Sequence, residues 1–218
     1  MNAGELIASY RDESHDKATP PFVKDARLLQ FASEAEREAC RRSNLLVDSS
    51  SAFCEIAVSA NEPLIDIDPR IINIRRAKLS ISTYSLSPVR AEEMDRVNPG
   101  WELHVGVPTT YVTDYQTNAI RLYPKQQVDA TLNITVSRLP KNDMEANDDE
   151  PEIRAEYHPA LVQWMLYRAY AQQDADMFDP NKSARALAEF EREFGKKASG
   201  RNEIWQRDRP QIDTPTIA

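Results

Sequence analysis

The residues best suited to chemistry in this chain are three histidines, two cysteines and one run of carboxylates. A Ser–His or Cys–His nucleophile needs its base and an orienting acid within hydrogen-bond reach. His15 falls in a polar loop, His104 in an extended stretch and His158 beside Pro159 at a helix start, and no serine sits in a Gly-x-Ser-x-Gly elbow. His158 therefore reads as a capping or packing residue. No His/Cys group has the spacing of zinc ligands. With five glycines, the chain carries neither a dinucleotide fingerprint nor a P-loop. The acidic run Asp143, Glu145, Asp148, Asp149, Glu150 and Glu152 suggests calcium by charge alone. Its segment, Lys141–Glu152, has neither the glycine nor the fixed ligand spacing of a calcium loop and reads as a mobile acidic linker. The expectation is thus no catalytic residue, no cofactor-binding residue, no metal ligand and no enzyme activity.

Elements that could hold such residues must come from the rest of the chain. Its 218 residues suffice for one large domain, or for one domain with a helical appendage. Cys40, late in a helix, and Cys54, at a strand start, read as buried reduced thiols, with a disulfide between them as the alternative. No basic-then-apolar leader opens the sequence and no apolar run reaches membrane-spanning length, so synthesis and retention in cytoplasm are expected. The formal net charge of −8 argues against a nucleic-acid binder with a basic face. It is compatible with an acidic wall that DNA passes without sticking.

Asn2 and Glu5 form a capping pair for a short helix carrying Leu6, Ile7 and Tyr10, which stops by Asp12 or Glu13 ahead of a polar loop, Arg11–Pro21. A second helix is expected from about Lys24 to Arg42. Its buried stripe is Leu28, Ala32, Ala35 and Ala39, widened by Phe31, while Glu34, Arg37, Glu38, Arg41 and Arg42 form a solvated face. From Ser49 the period becomes two. Cys54, Ile56 and Val58 point one way, Ile71–Leu79 is a second strand and Ile81–Ser85 a third candidate. Pro88–Asp95 reads as a helical turn or two closed by Asn98-Pro99-Gly100, and Trp101–Val105 and Tyr111–Asp114 as strands. The clearest alternation is in Ala119–Tyr123 and Asp129–Ser137, the latter with Ala130, Leu132, Ile134 and Val136 inward and Thr131, Asn133, Thr135 and Ser137 outward.

After the acidic linker come two helices, about Pro159–Asp174 and Asn181–Lys197. Leu161, Val162, Met165, Leu166 and Ala169 make the apolar face of the first, and Ala186, Leu187, Phe190 and Phe194 that of the second. The remainder, Arg201–Ala218, has no period and reads as an extended arm. Trp205 flanked by Arg201, Arg207 and Arg209, with Ile212 beyond, suits an anchor that docks on another subunit because Trp and Arg dominate interface hot spots. The expected fold is α+β: a helical bundle from the early helix and two late helices, an inserted antiparallel β-sandwich or barrel-like domain, and a C-terminal tail. The boundaries are 1–48 for the N-terminal helices, 49–140 for the β-domain, 141–156 for the acidic linker, 157–198 for the late helices and 199–218 for the arm.

In order and spacing these elements resemble the head-to-tail adaptor (connector) proteins of tailed bacteriophages. The resemblance is carried by Phe22-Val23-Lys24-Asp25-Ala26-Arg27-Leu28-Leu29, Gly106-x-Pro108-x-x-Tyr111, Ile120-Arg121-Leu122-Tyr123-Pro124 and Arg138-Leu139-Pro140. It continues through Glu152-Ile153, Tyr157-His158 with Leu161-Val162 and Trp164, then Asp174 and Asp176, and ends at Phe190 with Phe194. Phe22-Val23 stands where a Trp is often seen, and the insertion around Ser87–Gly100 is longer than the resemblance leads one to expect. The resemblance implies a dodecameric ring docked on the portal protein, contacts to tail or neck proteins, and a bore passing double-stranded DNA without sequence recognition. It further implies a virion protein at the head–tail junction, with no cofactor, no catalysis and no membrane partner. The alternatives are a tail-completion or tail-terminator protein and, from another class, a small-ligand-binding module or hydrolase built on the β-domain.

Overall fold

A computed structural model describes residues 1–172 and 177–198. In chain order its elements are α1 (Ala3–Ser14), α2 (Asp25–Ser43), β1 (Leu46–Asp48), β2 (Glu55–Val58), β3 (Leu64–Asp66), β4 (Ile71–Leu79), β5 (Ser87–Val89), α3 (Ala91–Val97), β6 (Thr110–Gln116), β7 (Ala119–Tyr123), β8 (Ala130–Arg138), α4 (His158–Tyr170) and α5 (Pro180–Phe194). They divide into a helical unit, residues 1–46 with 139–197, and a β-unit from Val47 to Arg138. The class is α+β, with one early and two late long helices in the helical unit.

In the helical unit α4 packs against α1, α2 and α5. The capping box of α1 is complete: Asn2 Oδ1 accepts the Glu5 amide at 2.8 Å and Glu5 Oε2 accepts the Asn2 amide at 3.1 Å. The stripe Leu28, Phe31, Ala32, Ala35 and Ala39 is fully buried, and the alanines let helix backbones approach closely. The charged face of α2 departs from expectation. Arg42 is not solvated: its side chain is 3% exposed, lies over the rings of Trp164 and Phe190, and donates to Glu38 and to the Gly195 carbonyl. Amphipathic stems such as arginine's cover apolar surface readily when the guanidinium finds acceptors.

The polar loop after α1 is organised by Asp16, whose carboxylate accepts Arg11 at 2.9 Å and the amide of Phe22 at 3.1 Å. The acidic segment is likewise held, contrary to the mobile linker expected from its composition. Asp149 Oδ2 accepts the amides of Glu145 and Ala146, and the carbonyls of Asn147 and Asp149 accept the Gly4 and Ala3 amides at the start of α1. Met144 is buried, its amide donating to Ser33 Oγ at 2.9 Å, while Ile153 donates to Glu36 Oε1 at 3.1 Å. Ser33→Ala is expected to lose about 1–3 kcal/mol, because the Met144 amide is left buried without its acceptor. Urea unfolding reads that loss, and native-state hydrogen exchange should show faster opening at Met144 without a change at α5.

In the β-unit, β8 is the spine of one sheet, pairing with β1, β2 and β4. Leu132 and Asn133 face β2 and β4 at once, so these two strands lie on opposite sides of β8. The second sheet has the order β3-β7-β6-β5, with β5 parallel to β6, so the domain is not purely antiparallel. Leu132, Ile134 and Val136 enter the core with Leu79, Leu86, Ile120 and Leu122. Ser137 departs from the outward set: it is fully buried, its hydroxyl accepting Arg75 Nε at 2.8 Å. Cys54 ends a 3₁₀ turn, one residue ahead of β2, and Ile81–Ser85 is a turn. Cys40 and Cys54 are each a buried thiol.

Candidate interface

The long insertion Ser87–Gly100 builds a second, smaller apolar cluster on the β6–β7 sheet. Met94 of α3, Trp101 and Val112 are its buried centre, with Val89, Ala91 and Tyr123 packed against them. Trp101–Leu103 is a 3₁₀ turn and not the strand its alternation suggested. Gly100, at φ +78°, sits just before it in the left-handed region, where a side chain would be strained. That turn lays the Trp101 indole edge-on to Tyr115 and Tyr123, at centroid separations of 6.0 and 5.9 Å. Its Nε1–H donates to Asp95 at 2.9 Å.

Arg121 on β7 caps this platform. Its guanidinium stands 5.2 Å from the Trp101 ring centroid and 4.7 Å from that of Tyr115, and donates to the Glu102 carbonyl. The Tyr115 hydroxyl donates to Glu102 Oε1 at 2.7 Å. That carboxylate holds the Tyr115 phenol above its ordinary range, partial burial adds to this, and Arg121 opposes it. The chain on either side of Trp101 also exposes aliphatic side chains: Leu103 is 83% exposed, Val97 71% and Val107 59%, with Val105 half-exposed. Isolated exposed hydrophobics are ordinary, but four within one short stretch, next to stacked aromatic and arginine side chains, have the composition of a protein-binding surface.

The histidines take structural places. His158 is buried, with Nε2 2.8 Å from the Ile153 carbonyl and Nδ1 2.9 Å from the Met1 nitrogen. His104 Nδ1 lies 3.1 Å from the Tyr123 hydroxyl, and His15 ends α1 at φ +58°. No cluster of three or more His, Cys, Asp or Glu suited to a metal occurs among the described residues. None of the described helices is long and apolar enough to cross a membrane.

A family model described as SU10 adaptor protein matches residues 1–214, which span both units. The chain belongs to the SU10 adaptor protein family. Membership gives it a structural adaptor role in a phage particle. No curated protein matches the chain.

The adaptor's sequence-assigned interface residues, Arg201, Trp205, Arg207, Arg209 and Ile212, lie outside the described residues, as do Asp174 and Asp176. Sequence reading missed the exposed Val97, Leu103, Val105 and Val107 and the Arg121–Trp101 contact. A signal was present: Leu103, Val105 and Val107 alternate, which marks one side of an extended chain. Alternation does not say whether that side meets a core or water.

Proposed function

We propose that this adaptor sits at the head–tail junction of the virion, where copies form a ring that docks on the portal and joins it to tail or neck proteins. The match of residues 1–214 to the adaptor family carries this reading. Two features support it. The exposed Leu103, Val105 and Val107, with the Arg121-capped aromatics, offer a contact surface of the kind subunits use. A ring repeats one heterologous contact around its axis, so each copy needs two complementary patches, and a family-type dodecamer would multiply modest contacts. The net charge of −8 suits a bore through which double-stranded DNA slides without adhering. On this reading the protein carries no catalytic residue and needs no cofactor.

The arm beyond Ser199 is proposed as a further contact, separate from that surface, with Trp205 as the anchor and Arg201, Arg207, Arg209 and Ile212 around it. A chain ending at Ser199 is expected to fold, with unchanged circular dichroism and melting, yet to be missing from purified particles. Normal incorporation of the shortened chain would remove the arm from the account. The adaptor reading itself is tested by pull-down against portal rings and tail tubes. Capture by portal rings is expected, whereas capture by tail tubes alone would favour a tail terminator.

A further inference from the structure

The two sheets of the β-unit are stitched at one end and open at the other. Ala77 of β4 meets Leu86 by an isolated antiparallel bridge, and β5 then pairs with Thr110–Val112 of β6. Beyond that stitch, no ladder among the described residues joins Ile71–Ile74 of β4 to Thr113–Gln116 of β6. Both stretches are irregular: β4 has register shifts between Ile71 and Asn73 and between Ile74 and Arg76, and β6 between Val112 and Gln116. Bulges of this kind end pairing and bend strands apart. The result is a cleft of about 450 Å³, walled by Ile67, Ile71, Ile74, Tyr111 and Ile120. That volume lies within the range of about 300–1,000 Å³ in which proteins bury small groups.

We infer that this cleft receives the Trp205 segment of a second copy of the chain. Three observations choose that occupant. The apolar part of the lining is mainly isoleucine and tyrosine, beside the polar Asn73, Gln116, Thr117 and Asn118, which suits a large flat side chain with a polar edge, and the chain's other two tryptophans, Trp101 and Trp164, are already packed within their units. Thr113 Oγ1 is buried at the cleft wall with no hydrogen-bond partner, and a χ1 rotation would offer it to an indole N–H, which needs an acceptor once buried. The lining holds two carboxylates, Asp68 and Asp114, and no Lys or Arg. Asp68 is engaged by Arg70 at 2.7 Å, whereas exposed Asp114 accepts the Ala91 amide through Oδ1 and keeps its second oxygen and its charge to meet Arg207 or Arg209 beside Trp205. Trp205 lies seven positions beyond Ala198, so the connecting chain spans at most about 24 Å. The inference rests on the ring reading only for the source of the segment, a neighbouring copy.

The test titrates a fluorescein-labelled peptide of residues 199–213 onto full-length Trp205→Ala protein and follows anisotropy. Saturable binding is expected, weakened at least tenfold by Thr113→Trp, which fills the cleft, and several-fold by Asp114→Lys. Absence of saturable binding, or equal binding to the Thr113→Trp protein with its fold verified by circular dichroism, overturns the inference. Should Thr113→Trp not fold, mixed Thr117→Cys and Gln206→Cys chains, which keep Trp205, replace it. A disulfide-linked pair is expected under mild oxidation, at least tenfold above a Ser82→Cys and Gln206→Cys control. Equal yields overturn it. Particle incorporation tests the adaptor reading separately, so absence of peptide binding with normal portal capture would discard the cleft and keep the adaptor.

Discussion

Asp48→Asn is expected to cost the β-unit about 3–5 kcal/mol, the usual penalty for breaking a buried ion pair from one side. Asp48 Oδ2 accepts Arg138 Nε at 2.7 Å, and both side chains are under a tenth exposed. The carboxylate also accepts the Ser50 and Ser51 amides and the Ser51 hydroxyl. Asparagine can keep an acceptor for those turn groups but supplies no charge to Arg138. The loss therefore reads the missing charge opposite the Arg138 guanidinium, and double replacement with Arg138→Met should recover a large part of it. The pair joins β1 to the end of β8, so its loss should open the β-unit first.

The same pair predicts a pH dependence. Burial alone would raise the Asp48 pKa, but the Ser51 hydroxyl, the Ser50 amide, Arg138 and the Ser51 amide together outweigh it and hold the carboxyl well below its usual range. A depressed folded pKa means that the unfolded chain binds the proton more readily. The stabilisation is then complete above the unfolded value of about 3.9 and is lost as pH falls towards the folded value. Wild-type stability should accordingly drop below about pH 4 more steeply than that of Asp48→Asn. Asp68, held down chiefly by Arg70, titrates in the same sense, so the difference between the two curves is the quantity that reads Asp48. Parallel acid-unfolding curves for the two proteins would refute this account.

Phe190→Ala is expected to destabilise the helical unit by about 3–5 kcal/mol. Phe190 is fully buried, with ring centroids 5.0 Å from Trp164 and 4.7 Å from Phe194, and its face carries the Arg42 guanidinium at 5.2 Å. Truncation empties that space and takes the ring from under a side chain that is itself 3% exposed. Phe190→Leu, which keeps most of the volume, should lose about 1.5 kcal/mol or less. Urea unfolding followed at 222 nm separates these outcomes. Near-equal losses for the two variants would show that the ring's own contacts, and not hydrophobic volume, carry the contribution.

Much of this architecture was legible before any coordinates. The alanine stripe of α2 was legible because a 3.6-residue period and a narrow apolar face leave one way to pack a helix. The inward set on β8 followed from strict alternation, and the α1 cap from Asn2 and Glu5 at the required spacing. The exceptions share a cause. Ser137 is buried because Arg75, 62 positions earlier, supplies its donor. Ser33 and Glu36 are buried because the 141–153 segment returns to α2 and presents the Met144 and Ile153 amides to them. Arg42 leaves the solvent because two rings from α4 and α5 lie beneath it. Polar burial is decided by a partner, and partners arrive from distant sequence.

The candidate interface divides in the same way. Residues 103–107 announce one apolar side by their alternation, and the family pattern announces an adaptor. Whether Leu103 meets core or water depends on Gly100 turning the chain and on Trp101, not Leu103, entering the cluster with Met94 and Val112. Local periodicity and capping are short-range properties written residue by residue, so the α+β order and the apolar helix faces were determined by sequence alone. Which of those faces remain uncovered, and where two sheets fail to close, are long-range packing outcomes. Those only the tertiary structure decided.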